Sequence, residues 1–143
     1  MAGWTDETIA AYVAAFVDCD GSIGIYKNGA KAKTYRLRIG LYNNQMAPLR
    51  FLQKHCGGTI HTRPAGHGRL GKHPHHTLVW QARKSAEILR RILPYMIGKH
   101  AQGELALRFR EHQESEGYNN HLDKAWQLGF YEQMKRLNNH KGE

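Results

Sequence analysis

Residues Ile9–Gly21 read IAAYVAAFVDCDG. From Ile9 to Val17 this stretch has no polar face. Thr5 is placed to cap a helix N-terminus, and Asp6 and Glu7 suit the positive end of a helix dipole, so the sequence predicts a helix over Thr5–Val17. A helix on a globular surface keeps a polar side towards water. One without such a side is buried all round or sealed against a partner. Ala10, Ala11, Ala14 and Ala15 are small enough to let a second backbone approach closely. Asp18, Cys19, Asp20 and Gly21 are expected to end the helix abruptly.

Downstream, the apolar spacing changes from helical to alternating. Ile23 and Ile25 share one face of a strand from Ser22 to Asn28, opposite Ser22, Gly24 and Tyr26. In a second strand, Lys31 to Tyr42, Leu37, Ile39 and Leu41 lie opposite Arg36, Arg38 and Tyr42, and Asn28-Gly29 marks the hairpin turn. A short helix, Pro48–Cys56, is closed by Gly57-Gly58. A second hairpin pairs Thr59–Arg63 with Thr77–Gln81 around a long loop rich in Gly, His, Arg and Lys. Ser85 is expected to cap a helix stopping near Pro94, and two further helices cover Lys99–Glu114 and His121–Leu137. The order α-β-β-α-β-β-α-α-α predicts an α+β fold, an antiparallel sheet with helices on one side. The 143 residues suffice for one domain, 1–143, with a real core.

Lys and Arg number 21 against 12 Asp and Glu, a formal charge of +9, which points to a polyanionic partner and above all to nucleic acid. No apolar run approaches the roughly 20 residues that span a bilayer, so no membrane partner is expected. The start of the chain (Trp4, Thr5, Asp6, Glu7) lacks a basic-then-apolar signal, and the protein is expected inside the cell. Cys19 and Cys56 make no disulfide framework, which agrees with a reducing compartment.

The basic residues concentrate opposite the apolar face of both hairpins. Because helices cover one side of the sheet, the other is left wet and positive, in a ribbon shape that fits a DNA groove. The candidate contacts are Ser22, Tyr26, Asn28, Lys31, Lys33, Arg36, Arg38 and Tyr42 on the first hairpin. On the second they are His61, Arg63, Arg69, His75, Thr77 and Gln81. An ordinary solvated sheet face is the competing reading. His73, His75 and His76 invite a zinc reading, but no spaced Cys or His pairs accompany them. Contact with DNA or a solvated loop fits better.

The segment Tyr12–Gly21, YVAAFVDCDG, resembles the signature of the LAGLIDADG homing endonucleases, and FLQKHCGGTI (51–60) and LPYMIGKHAQ (93–102) agree with it. Ala15 stands where that family usually has Gly, and Cys19 where it has a small residue. The resemblance implies a saddle-shaped antiparallel sheet with extra C-terminal helices, and a homodimer joined motif helix to motif helix through Ala10, Ala11, Ala14, Ala15 and Asp18. It implies an intron-encoded nuclease that cleaves long, near-palindromic double-stranded DNA with divalent metal. Mg²⁺ is expected, two or three ions shared across the dimer, with Mn²⁺ substituting and Ca²⁺ binding without cleavage. Asp20 would hold metal with the backbone carbonyl of Cys19, and Lys99 would act at the phosphate. Either Gln45 or Asn44 would position water, the two alignments differing by one residue, and Arg50 is the nearest basic candidate on the next helix. Splicing assistance on RNA and a cleavage-dead DNA-binding module are the alternatives within that fold.

Overall fold

The computed structural model describes residues 3–29, 34–65, 72–116 and 125–139. Lys31, Lys33 and Arg69 lie outside the described residues. Helix α1 (Asp6–Asp20) starts where its sequence says: Thr5 accepts the Thr8 N–H at 3.1 Å, and Thr8 Oγ1 accepts the Thr5 N–H at 2.8 Å. It runs on through Asp20, however, so the acidic residues form its last turn rather than breaking it. Gly21 closes it by donating its N–H to the Val17 carbonyl. The glycine is needed for room: a Cβ there would sit 2.7 Å from Val17 Cα and 3.0 Å from Leu41 Cδ2. The chain therefore passes from helix to strand without a spacer.

Strands β1 (Gly21–Lys27), β2 (Tyr35–Asn43), β3 (Thr59–Arg63) and β4 (His75–Gln81) form one antiparallel sheet in the order β1-β2-β4-β3. Register aligns Ile23, Ile39 and Trp80 in one apolar row and Leu41, Leu78 and Ile60 in another. Helix α1 lays Ile9, Ala10, Val13, Ala14 and Val17 on this face. Helix α2 (Met46–Cys56) adds Leu49 and Leu52 and ends at Gly57, which takes φ +73°, and Gly57 accepts the indole N–H of Trp80 at 2.9 Å. Helix α3 (Ala82–Ile92) begins three residues before the expected cap. Ser85 lies fully buried inside it, its hydroxyl without a hydrogen-bond partner.

Helices α4 (His100–Glu116) and α5 (Ala125–Asn139) extend this layer over β1. Trp126, Phe130, Phe109 and His112 lock the two together, with the Trp126 and His112 rings 3.9 Å apart. Gln113 Nε2 donates to the Tyr35 carbonyl and Gln127 Oε1 accepts the Tyr35 N–H, both at 2.9 Å, so the start of β2 keeps its backbone groups satisfied. Asn138 Nδ2 donates to the Ile23 carbonyl of edge strand β1.

The alanines of α1 divide between two environments. Ala10 and Ala14 are 5% and 0% exposed, packed against their own sheet. They are therefore removed from the expected partner surface, because both point into the core that the helix covers. Ala15 and Cys19 are exposed and Ala11 half-buried. Ala14→Leu should overpack the core, at about 1–3 kcal/mol, seen as a lower urea midpoint at unchanged slope. Ala15→Leu adds its bulk outside this core and should escape that overpacking cost within the subunit.

Candidate active site and nucleic-acid interface

The face of the sheet turned away from the helices is built in rows. Gly24, Arg38 and Gln81 stand side by side, followed by Ser22, Gly40, Val79 and Thr59. Tyr42, Thr77 and His61 form the next row, and Arg63 pairs with His75 beyond it. Tyr26 and Arg36 pair on the other side. The register thus brings the expected strand contacts Ser22, Tyr26, Arg36, Arg38, Tyr42, His61, Arg63, His75, Thr77 and Gln81 onto one face. None of the four strands carries an acidic residue, so nothing within them offsets this positive charge.

Two tyrosines lie flat on that face because glycines make room. A Cβ at Gly24 would fall 2.5 Å from the Tyr26 ring, and one at Gly40 would fall 2.8 Å from the Tyr42 hydroxyl. The Arg38 guanidinium stacks on Tyr26, 5.8 Å from the ring centroid. Tyr42 and Ser22 hydroxyls join at 2.9 Å across neighbouring strands. Asn28 is committed inside the hairpin: its Nδ2 donates to Thr34 Oγ1 at 3.1 Å, and its Oδ1 accepts from Arg36 Nη1 at 3.3 Å. Asn28 thereby holds Arg36 while remaining exposed at the hairpin end. Arg36 Nε is buried with no hydrogen-bond partner, so the outward donors of this guanidinium are the ones available to a ligand.

The acidic end of α1 lies beside the far end of β2. Gly21 pairs with Leu41, which puts Asp20 at the same sheet end as the β2–α2 junction, where Asn44 and Gln45 are both exposed. Gln45 holds the cap position of α2 without capping it through its side chain. Asn43 Oδ1 instead accepts the Gln45 N–H at 2.9 Å, a role the sequence did not single out. Arg50 is exposed on α2. Asp20 is exposed at the helix end, as is Cys19. The Cys19 carbonyl is among the last four of α1 and so has no partner within the helix.

Asp18 points elsewhere. Its Oδ2 accepts the Ile97 N–H at 2.8 Å and its Oδ1 the Lys99 N–H at 2.9 Å. Burial alone would raise its pKa, but the N–H groups of Ile97, Lys99 and Gly98 and the Lys99 charge outweigh it and hold the carboxyl below its ordinary value. Asp18, expected on a partner surface, spends its carboxylate on these contacts within its own chain and stays half-buried. Lys99 Nζ donates back to the carbonyls of Val17 at 3.1 Å and Asp18 at 2.9 Å. Lys99 thus reaches the last turn of α1, where it binds helix-end carbonyls.

The outer side of α1 is an apolar surface with small residues along its centre. Thr8, Ala15 and Cys19 are exposed along it and Ala11 is half-buried. Beside this stripe Trp4 packs on Tyr12 and Phe51, with ring centroids 5.6 and 4.9 Å away. Beyond the last turn of α1, next to the residues Asp18 holds, Ile97 is 88% exposed. The sequence signal for Ile97 was available, an apolar residue directly before Gly98 in a turn. Gly24→Ala should lift the Tyr26 ring off the sheet at a stability cost within about 0.5 kcal/mol, because an exposed ring can swing away. Increased quenching of tyrosine emission by iodide would report the move, and unchanged quenching would count against this packing.

No family sequence model matches the chain, and neither does any curated protein sequence. Solved structures do. The homing endonuclease I-CvuI in complex with its target superposes with a TM-score of 0.71 at 21% identity, over 96% of this chain and 87% of that one. The archaeal intron-encoded homing endonuclease I-Vdi141I, complexed with DNA, gives 0.68 at 13% identity over 97% and 89%. The LAGLIDADG homing endonuclease I-GzeII, with its DNA target, gives 0.58 at 18% identity over 88% and 41%. This likeness is one of architecture, and it agrees with the sheet, the helix layer and the placement of α1: the chain has the LAGLIDADG homing endonuclease fold.

Proposed function

We propose that the chain is a site-specific DNA endonuclease that acts as a homodimer through the outer face of α1. The observation carrying this reading is the position of Asp20. It is an exposed carboxylate at the end of the helix whose outer side is apolar and open, and it borders a sheet face without acids. For a protein that only binds DNA, an acid at that place weakens binding by repelling phosphate. A cation between carboxylate and phosphate reverses the sign.

The residues fit a hard divalent ion such as Mg²⁺, since the Asp20 carboxylate and the Cys19 carbonyl both offer oxygen. Among the described residues no group of three or more His, Cys, Asp or Glu side chains could hold a metal. On this reading one chain supplies one carboxylate, that of Asp20, and a second copy brings another. The bound ions would supply charge stabilisation to the phosphate undergoing hydrolysis. The protein's own groups do the rest. Lys99 steadies the helix end, and the amide of Gln45 or Asn44 orients water at the β2–α2 junction. The I-CvuI complexes were obtained with Ca and with Mg, and in the latter the DNA is not cleaved. Metal alone is thus not the criterion for cleavage, and the target must be this chain's own.

The interface of this reading is Thr8, Ala11, Ala15 and Cys19, flanked by Trp4 and Ile97, related by a two-fold axis. The target is then long and near-palindromic, and each base contact occurs twice. Digestion of a randomised DNA library with Mg²⁺ tests this. Sequenced ends should show one central cut per strand with short 3′ overhangs, whereas 5′ overhangs or cuts to one side of an asymmetric site contradict the arrangement. Asp20→Asn should abolish cutting while specific binding persists. Normal cutting by that variant removes Asp20 from the metal site.

Sequence reading falls to the wet face. Arg38 stands in the row of Gly24 and Gln81, with its guanidinium braced on Tyr26. Arg38→Ala should relax preference at one base pair of each half-site, by about 1–3 kcal/mol. Equal weakening on all sequences would place Arg38 on phosphate instead.

A further inference from the structure

We infer that Asp18 is the positioning residue of this site: by gripping the backbone at 97–99 it aims Lys99 at the end of α1 and so fixes the turn that carries Asp20. This rests on the reading above for its catalytic consequence. Its structural basis is independent of that reading.

The geometry is reciprocal. The carboxylate of Asp18, in the last turn of α1, accepts N–H groups at 2.8 and 2.9 Å from the segment entering α4, where donors have no partner of their own helix. A carboxylate there also meets the positive end of the α4 dipole. In the other direction the Lys99 ammonium covers the Val17 and Asp18 carbonyls at 3.1 and 2.9 Å, at the negative end of α1. Each helix thus caps the other. Asp18 holds the Lys99 backbone, and Lys99 holds the Asp18 backbone, so loss of either contact weakens both. Asp20 is two residues further on, beyond the last carbonyl that Lys99 covers. Its direction depends on a turn that this exchange keeps in place.

The alternative is that Asp18 is only one more stabilising contact. Two measurements separate the cases. The first needs no activity: nitrogen-15 NMR of the whole chain follows the Lys99 ammonium and the Ile97 and Lys99 amides. In Asp18→Asn, one side-chain N–H faces a backbone N–H, so both amides should lose exchange protection and the Lys99 ammonium signal should broaden into solvent exchange. Retention of all three signals overturns the inference. Asp18→Ser, which keeps one acceptor, serves the same comparison if the asparagine variant does not fold.

The second is a double-mutant cycle on single-turnover cleavage in Mg²⁺, with enzyme saturating and well below every melting temperature. Lys99→Met should slow cutting by about 10²-fold, in the range for losing one positioned donor. Asp18→Asn should slow it by at least about tenfold alone and by nearly nothing more in the Lys99→Met background. Equal factors in both backgrounds overturn the inference. If the parent protein does not cut its selected DNA at all, the endonuclease reading fails, and the NMR comparison still decides whether Asp18 places Lys99.

Discussion

Everything in this structure depends on how α1 leaves the sheet. Gly21 permits the last helical turn to run directly into β1, with Val17 and Leu41 occupying the space where a side chain would be. That contact couples three things otherwise set separately. It aligns the first row of the wet face, it brings Asp20 beside the β2–α2 junction, and it fixes which side of α1 points outwards. A helix joined to its strand by a flexible loop would leave all three free to vary. The reciprocal capping by Asp18 and Lys99 adds the second anchor, so the end of α1 is held from the strand side and from the α4 side.

The outward side of α1 explains why its sequence lacks a polar face. The inward residues meet the sheet, as any core helix does. The outward ones are small or aromatic and remain open, which is unusual for a surface that faces only water. Ala11 and Ala15 permit close approach of another backbone, while Trp4, Tyr12 and Phe51 border them with half-covered rings. The apolar character therefore has two sources along one helix.

Much of this was legible in the sequence. Alternation in Ile23–Ile25 and Leu37–Leu41 placed the strands and the side each residue faces, because a two-residue period is easily read and a slip of one residue would bury the arginines. What remained hidden has physical reasons. Alanine has no polarity or size to reveal which neighbour it meets, so Ala10 and Ala14 could not be separated from Ala11 and Ala15. Asp18 and Ser85 are residue types that favour caps and turns, yet α1 runs on past Asp18 and α3 starts before Ser85. The partners of Asp18 are backbone N–H groups about eighty positions away, and a backbone donor has no residue identity to recognise. Asn28 looked like a polar reader at a hairpin tip. Only three-dimensional closure shows both ends of its amide engaged.

The charge distribution ties the recognition surface to the carboxylate site. A net charge of +9 and four strands without an acid draw a polyanion onto one face. On the proposed reading the Asp20 carboxylate would face phosphate, and the balance would turn against binding unless a cation lay between them. A surface selected for affinity alone would place a neutral residue at position 20. On the proposed reading, Asp20, on a turn anchored from two sides, serves a chemical step rather than adhesion, and two copies of the chain share that step.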